Sequence, residues 1–192
     1  ILNNRQPIEP MNNHFKLVSC SNLIPVKRLD LIVESLKILQ SSSWEWFVIG
    51  DGPQRQYIEE NMSVLPHSCS VKMMGRMPNK KIYEFYEKEK PDLFINLSSS
   101  EGVPVSIMEA MSFGIPVIAT DVGGTREIVN NKNGILLGAN PLPREVAQKM
   151  DDFISLNQND KRTKRRAAFE TWKENYSAKS NYNEFIDQIF GL

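Results

Sequence analysis

PDLFINLSSSEGVPVSIMEAMSFGIPVIAT, residues 91–120, decides the fold. LFINL and PVIAT are nearly continuous apolar runs, broken only by Asn96 and Thr120, rather than apolar at every second position, which suits strands covered on both faces of a sheet. Between them VPVSIMEAMSFG has helical character. Pro104 falls near its first turn, where a missing N–H costs little, and Gly114 falls just past its end. Strand, helix and strand at this spacing form a βαβ unit, whose strands run parallel.

The same alternation extends both ways. FKLVSCS (15–21) is a strand that carries Cys20, and RLDLIVESLKILQ then sets Leu29, Ile32, Val33, Leu36 and Leu39 on one helical face. WEWFVIG (44–50) is stopped by the turn GDGP, and QRQYIEEN makes a short helix. After a turn-rich segment holding Cys69, SVKMMG (70–75) is a strand. NKKIYEFYEKEK (79–90) follows as a helix, with Asn79 as N-cap and Ile82, Phe85 and Tyr86 on one side. Downstream lie a brief helix TREIVNN, a strand GILLG (134–138), and the helical segments REVAQKMDDFISL, DKRTKRRAAFETWKENY and KSNYNEFIDQIF. The expected class is α/β: a doubly wound, Rossmann-like parallel sheet of about six strands, helices on both faces, and a helical C-terminal tail. Trp44, Trp46, Phe85 and Phe94 are expected in its core.

At 192 residues the chain suits one well-buried domain. Lys plus Arg and Asp plus Glu each number 23, a balance that argues against a dedicated nucleic-acid binder. No apolar run approaches the ~20 residues that span a bilayer. Two cysteines make no disulfide framework, so a reduced, cytoplasmic setting is expected. The opening ILNNRQPIEPMNN has neither an initiator Met nor a signal peptide and reads as a linker. The expected organisation is a linker over 1–14, a ligand-binding domain over 15–175, and a C-terminal helix over 176–192.

Open parallel sheets bind ligands at the carboxyl ends of their strands. SSSEG follows LFINL at such an end, so Glu101 sits in a loop beside a helix start. The amides of Gly102, Val103 and Val105 are candidate donors to an anion there. Glu109 lies one to two turns into that helix, close to the face of Val105 and Ser106. A carboxylate so placed accepts hydrogen bonds from vicinal hydroxyls, such as those of a ribose. The plain alternative makes Glu101 a loop charge and Glu109 an exposed helix charge. For one isolated glutamate that alternative would stand; the glycine loop, the helix start and the second glutamate together favour a site. Lys27 and Arg28 occupy the loop after the first strand, where a point charge and a bidentate donor suit a pyrophosphate, or else they form an exposed basic turn. GDG lacks the full GxGxxG spacing and reads mostly as turn geometry. His14 and His67 have no metal-ligand spacing, and no metal site is expected. KRTKRR (161–166) reads as a solvated helix face, with contact to an anionic membrane surface as the alternative.

With those residues in place, the chain resembles the C-terminal, donor-binding domain of a group 1 (family 4) retaining glycosyltransferase of GT-B fold. The resemblance runs from about Phe15 to Asn140 and more loosely onward. NLIPVKRLDLIVESL, FVIGDGPQR, VKMMGRM, the long stretch from Pro91 to Val129 and NGILL arrive in the family's order, and EGVPVSIME fits its E-x7-E signature.

The resemblance implies that Glu109 holds the nucleotide's ribose and that Glu101 faces the transferred sugar. It implies that Gly102, Val103 and Val105 amides hold sugar or phosphate, that Lys27 binds the departing diphosphate, and that the backbone at Arg76 and Met77 borders the base. Many members carry an arginine five positions before the lysine; Asn22 stands there in this chain, and Arg28 is the candidate substitute. The implied reaction moves a sugar from a UDP- or GDP-linked donor to an acceptor hydroxyl with retention, in polysaccharide or glycolipid synthesis, without a cofactor. Implied partners are the acceptor, a glycan or lipid-linked sugar, and an N-terminal domain to which the last helix would cross. That crossing would leave Trp172, Tyr182, Phe185 and Ile189 more exposed here. Location in the cytoplasm, at the inner face of the membrane, goes with this reading. Two rivals are a non-catalytic module that keeps the fold for protein assembly, and a GT-B epimerase that alters a nucleotide sugar without any acceptor.

Overall fold

The computed structural model describes residues 7–9, 14–41, 43–62, 65 and 68–177. Their strands are β1 (Phe15–Cys20), β2 (Trp44–Ile49), β3 (Cys69–Gly75), β4 (Leu93–Asn96), β5 (Val117–Thr120) and β6 (Gly134–Leu137). A 3-10 turn (Pro25–Lys27) precedes α1 (Leu29–Lys37). The other helices are α2 (Arg55–Met62), α3 (Asn79–Glu89), α4 (Val105–Met111), α5 (Thr125–Ile128), α6 (Pro143–Ile154) and α7 (Gln158–Asn175). The sheet order is β3-β2-β1-β4-β5-β6, and every pairing is parallel. This is the doubly wound arrangement expected from the sequence, with its order reversing between β1 and β4.

The apolar runs are continuous because both faces are covered. Leu17, Trp46, Val48, Leu93 and Ile95 pack with α1, α2 and α6, whereas Val18, Phe47, Ile49, Phe94 and Val117 pack with α3, α4 and α7. Successive strand residues point to opposite sides, so each run feeds two cores. Trp44, Trp46, Phe85 and Phe94 are all buried.

The structure corrects several local readings. Cys69 opens β3 rather than lying in a turn. Asn79 is the first residue of α3 and not its cap; extended Pro78 (φ −64, ψ 150) takes that place, leaving the Asn79 side chain for another contact. KRTKRR is not a uniform solvated face. Arg165 is buried, donating to the carbonyls of Pro91, Ile8 and Gly114 beside Asp92, and burial pushes its guanidinium down to about 10. Lys161 donates to Ile154 O and Lys164 to Asn131 O, while Arg162 and Arg166 pair with Glu9 and Glu170. Trp172 is also buried, because α7 lays Arg165, Ala168, Phe169 and Trp172 as one stripe against the α3/α4 layer. Tyr182, Phe185, Ile189 and His67 lie outside the described residues. Residues 7–9, within the stretch read as linker, touch the domain: Ile8 N–H donates to Phe113 O at 3.1 Å. No described helix is long and apolar enough to cross a membrane.

Candidate functional site

The loops at the carboxyl edge of the sheet are laced to one another before any ligand arrives. Ser99 N–H donates to Val26 O at 2.8 Å, joining the loop after β4 to the loop after β1. Gly124 N–H donates to Gly102 O at 3.1 Å, joining the loop after β5 to the loop after β4. Gly123 makes that approach possible: its φ is +53°, and a Cβ there would sit 1.8 Å from Glu101 O. GDG does the same service on the other side, since a Cβ on Gly50 would fall 1.8 Å from Ser21 O. The turn reading of that motif holds.

Where the strand order reverses, Lys27 and Glu101 meet. Lys27 Nζ donates to Glu101 Oε1 at 2.6 Å across 74 residues of sequence. Asn96 Nδ2 donates to the same oxygen at 3.0 Å, and Ser98 Oγ lies 2.6 Å from it. Ser98 Oγ is also 2.6 Å from Asn96 Oδ1, and its single hydroxyl proton goes to one acceptor at a time, the ionised Glu101 carboxylate being the stronger. Burial alone would raise the Glu101 carboxyl; hydrogen bonds from Lys27, Ser98 and Asn96 outweigh it and hold the group below the usual glutamate range. Oε2, and the amides of Gly102 and Val103, have no hydrogen-bond partner among the described residues.

Glu109 is treated differently. Its Oε1 accepts from Asn79 Nδ2 and Tyr83 Oη, both at 3.0 Å and both neutral, and Oε2 meets no donor among the described residues. Burial pushes its carboxyl above the usual range, and the Tyr83 bond only partly offsets that. The two glutamates therefore stand on one loop-helix segment in opposite electrostatic settings.

Arg28 is heavily engaged by the protein itself. It adopts a left-handed conformation (φ 48, ψ 48), and four hydrogen bonds run from its guanidinium to Leu97 O, Ser98 O (2.7 Å), Ala139 O (2.9 Å) and Asn140 Oδ1 (3.3 Å). It splices the loops after β1, β4 and β6, so most of its donors are spent on the protein. The Val105 amide is likewise spent, donating to Val103 O at 2.9 Å in a tight turn that delays α4 until Val105. Asn22 is exposed in the loop after β1. Arg76 and Met77 follow β3 at the same edge, with Arg76 exposed. Asn79, Tyr83, Asn96 and Ser98 were absent from the sequence-based set; the only signal for the first two is their i, i+4 spacing on a helix that enters from this edge. No group of three or more His, Cys, Asp or Glu able to hold a metal occurs among the described residues.

Residues 2–169 match the family model for glycosyl transferases group 1. The chain belongs to that family. The chain is 30% identical over 138 residues to the GtfA subunit of the UDP-N-acetylglucosamine–peptide N-acetylglucosaminyltransferase of Streptococcus agalactiae, covering 69% of this chain and 25% of that protein. It is 25% identical over 129 residues to the amylovoran biosynthesis glycosyltransferase AmsK of Erwinia amylovora, covering 64% and 32%. Among solved structures, the lipopolysaccharide outer core galactosyltransferase WaaB aligns over all of this chain and 55% of its own, with TM-score 0.77 and 18% identity. Anabaena HepE in complex with UDP-glucose aligns over 94% and 50%, with TM-score 0.75 and 20% identity. These likenesses show the GT-B glycosyltransferase fold. The chain spans 25% of the length of the GtfA relative and 45% of the O-antigen glycosyltransferase WbnH of Escherichia coli.

Proposed function

We propose that this chain is the donor-binding half of a retaining glycosyltransferase that moves a hexosyl group from a nucleoside-diphosphate sugar to an acceptor hydroxyl. The observation that carries the reading is the meeting of Lys27 and Glu101 at the switch point, beside the amides of Gly102 and Val103, which have no partner among the described residues. In the reaction the bond from the sugar's C1 to the diphosphate breaks, and negative charge grows on the departing oxygens. The Lys27 ammonium and those two amides offset that charge in a partly dry site. With Arg28 spent on carbonyls and Asn22 uncharged, Lys27 carries the cationic part of this task. Glu101 turns its open oxygen to the sugar hydroxyls, Glu109 takes the ribose, and the backbone at Arg76 and Met77 borders the base.

UDP-linked donors are the first to try, since the GtfA relative is named for UDP-N-acetylglucosamine and HepE was solved with UDP-glucose. The acceptor and an N-terminal domain would complete the cleft. A role in polysaccharide or glycolipid synthesis accords with AmsK, which is named for amylovoran biosynthesis, and a place in the cytoplasm at the inner membrane face is part of the same proposal. Titration calorimetry with UDP and GDP tests the reading. One of them binds, and Glu109→Ala weakens it about tenfold or more. Absence of binding by either at millimolar concentration would sink the proposal.

A further inference from the structure

Glu109 has a carboxylate with one oxygen held and one open, and what holds it is unusual for a half-buried acid. Asn79 and Tyr83 stand four residues apart on one face of α3, and both reach across to Glu109 Oε1 at 3.0 Å. The Tyr83 ring is itself seated on Phe113, with centroids 5.6 Å apart, and Phe113 is buried just beyond α4. The donors therefore come from a braced element. They are also neutral. A lysine or arginine in either position would form an ion pair and use up the carboxylate's charge, as Lys27 does for Glu101. A neutral pair fixes the direction of the side chain and leaves its charge to a ligand.

We propose that Asn79 and Tyr83 are positioning residues for nucleotide selectivity: they aim the open Glu109 oxygen so that it accepts from both hydroxyls of a ribose and discriminates against a deoxyribose. The proposal rests on the donor-binding reading above. A carboxylate free to rotate would still attract a hydroxyl, but it would not hold two donors at once in a fixed fork. Asn79 lies two residues after Met77, so a base seated against the 76–77 backbone shifts the same turn of α3 that steers the ribose carboxylate. Base and sugar are thus read by one connected element.

The test is calorimetry on the full chain with UDP against 2′-deoxy-UDP and GDP against 2′-deoxy-GDP, in wild type, Asn79→Ala and Tyr83→Phe. Asn79 is exposed, and phenylalanine keeps the ring on Phe113, so both variants are expected to fold. Wild type should prefer the ribonucleotide about tenfold. Each variant should lose about three- to tenfold in ribonucleotide affinity, with little change for the deoxy form, so that the ratio collapses toward one. Equal losses for both forms, with the ratio kept, would mean a purely structural role and overturn the proposal. A wild type that binds ribo and deoxy forms equally overturns it while leaving donor binding intact. A wild type that binds neither base overturns both.

Discussion

Replacing Glu101 with glutamine should tighten the binding of free nucleoside diphosphate. In the structure the carboxylate occupies the ammonium that a diphosphate needs: Lys27 Nζ and Glu101 Oε1 are 2.6 Å apart, with side chains only 21% and 11% exposed. A diphosphate must therefore compete with an anion already in place and then sit beside it. A charge-assisted hydrogen bond in such surroundings contributes about 1.5–3 kcal/mol. Glutamine keeps a neutral oxygen that still accepts from Lys27, so about half of that competition persists. The remainder, about 0.75–1.5 kcal/mol, corresponds to about 3- to 12-fold tighter UDP. A nucleotide sugar should gain less, because the same substitution removes the charged acceptor for its hydroxyls. Calorimetry of Glu101→Gln against wild type, with UDP and UDP-glucose side by side, reads both numbers, and urea unfolding confirms that the fold is kept. Unchanged or weaker UDP binding by a folded variant would refute the competition, and with it the placement of the diphosphate at Lys27.

Gly123→Ala should lower unfolding stability by at least about 2 kcal/mol, because the new Cβ meets Glu101 O at 1.8 Å in a left-handed conformation. Nucleotide affinity should fall with it, since the Glu101 loop has to move; a loss under about 1 kcal/mol in urea titration would contradict the backing role of that glycine. Binding of UDP-glucose, whose diphosphate is esterified at both ends, should weaken on acidification with a midpoint above the ordinary glutamate value of about 4.3. The sign follows from burial raising Glu109: the ionised acceptor is complete above that raised value and is lost as pH falls through it, while Glu101, held low, stays charged. The other titratable groups near Glu109 are Tyr83, Tyr86 and Cys20; burial pushes the Cys20 thiol up to about 12 and Tyr86 well up, so neither changes charge in acid. Glu109→Gln should erase this limb, and a limb that persists in the variant assigns it elsewhere.

The fold was legible because each of its strands is short and two-faced. LFINL and PVIAT are apolar on both faces, broken only by Asn96 and Thr120 toward their carboxyl ends, and in the structure Leu93 and Ile95 feed one core while Phe94 feeds the other. Helix ends were less legible. Asn79 is a favoured cap by residue type, but the extended conformation of Pro78 already ends the preceding loop, and Asn79 is drawn into the helix by a partner thirty positions away. The burial of Arg165 did have a signal. Arg165, Ala168, Phe169 and Trp172 fall at i, i+3, i+4 and i+7, which is a core stripe. A run of cations hid it, because positive charge is ordinarily read as exposed, whereas here three carbonyls and Asp92 receive the guanidinium.

The site divides along the same line, between residues whose chemistry is local and residues whose partners are remote. Glu101 and Glu109 are candidates legible from one loop and one helix, because spacing alone puts both at the carboxyl edge of the sheet. The sequence could not show how Arg28 is engaged, because a cation beside Lys27 has the right chemistry for a phosphate. Its use is set by Ala139 and Asn140, more than a hundred residues on, which the loop after β6 brings to it. Spacing also could not show that the two glutamates are wired oppositely, one to a cation and one to neutral donors. That difference is what makes them distinct instruments. Paired with Lys27, Glu101 can leave the ammonium when a donor supplies other anions, so its contact is exchangeable. Braced by the neutral donors Asn79 and Tyr83, Glu109 has no paired cation to release. On the proposed donor-binding reading, one exchangeable and one fixed carboxylate would keep hold of the nucleoside end while the diphosphate end changes partners, which is what a transfer that must also release its product requires.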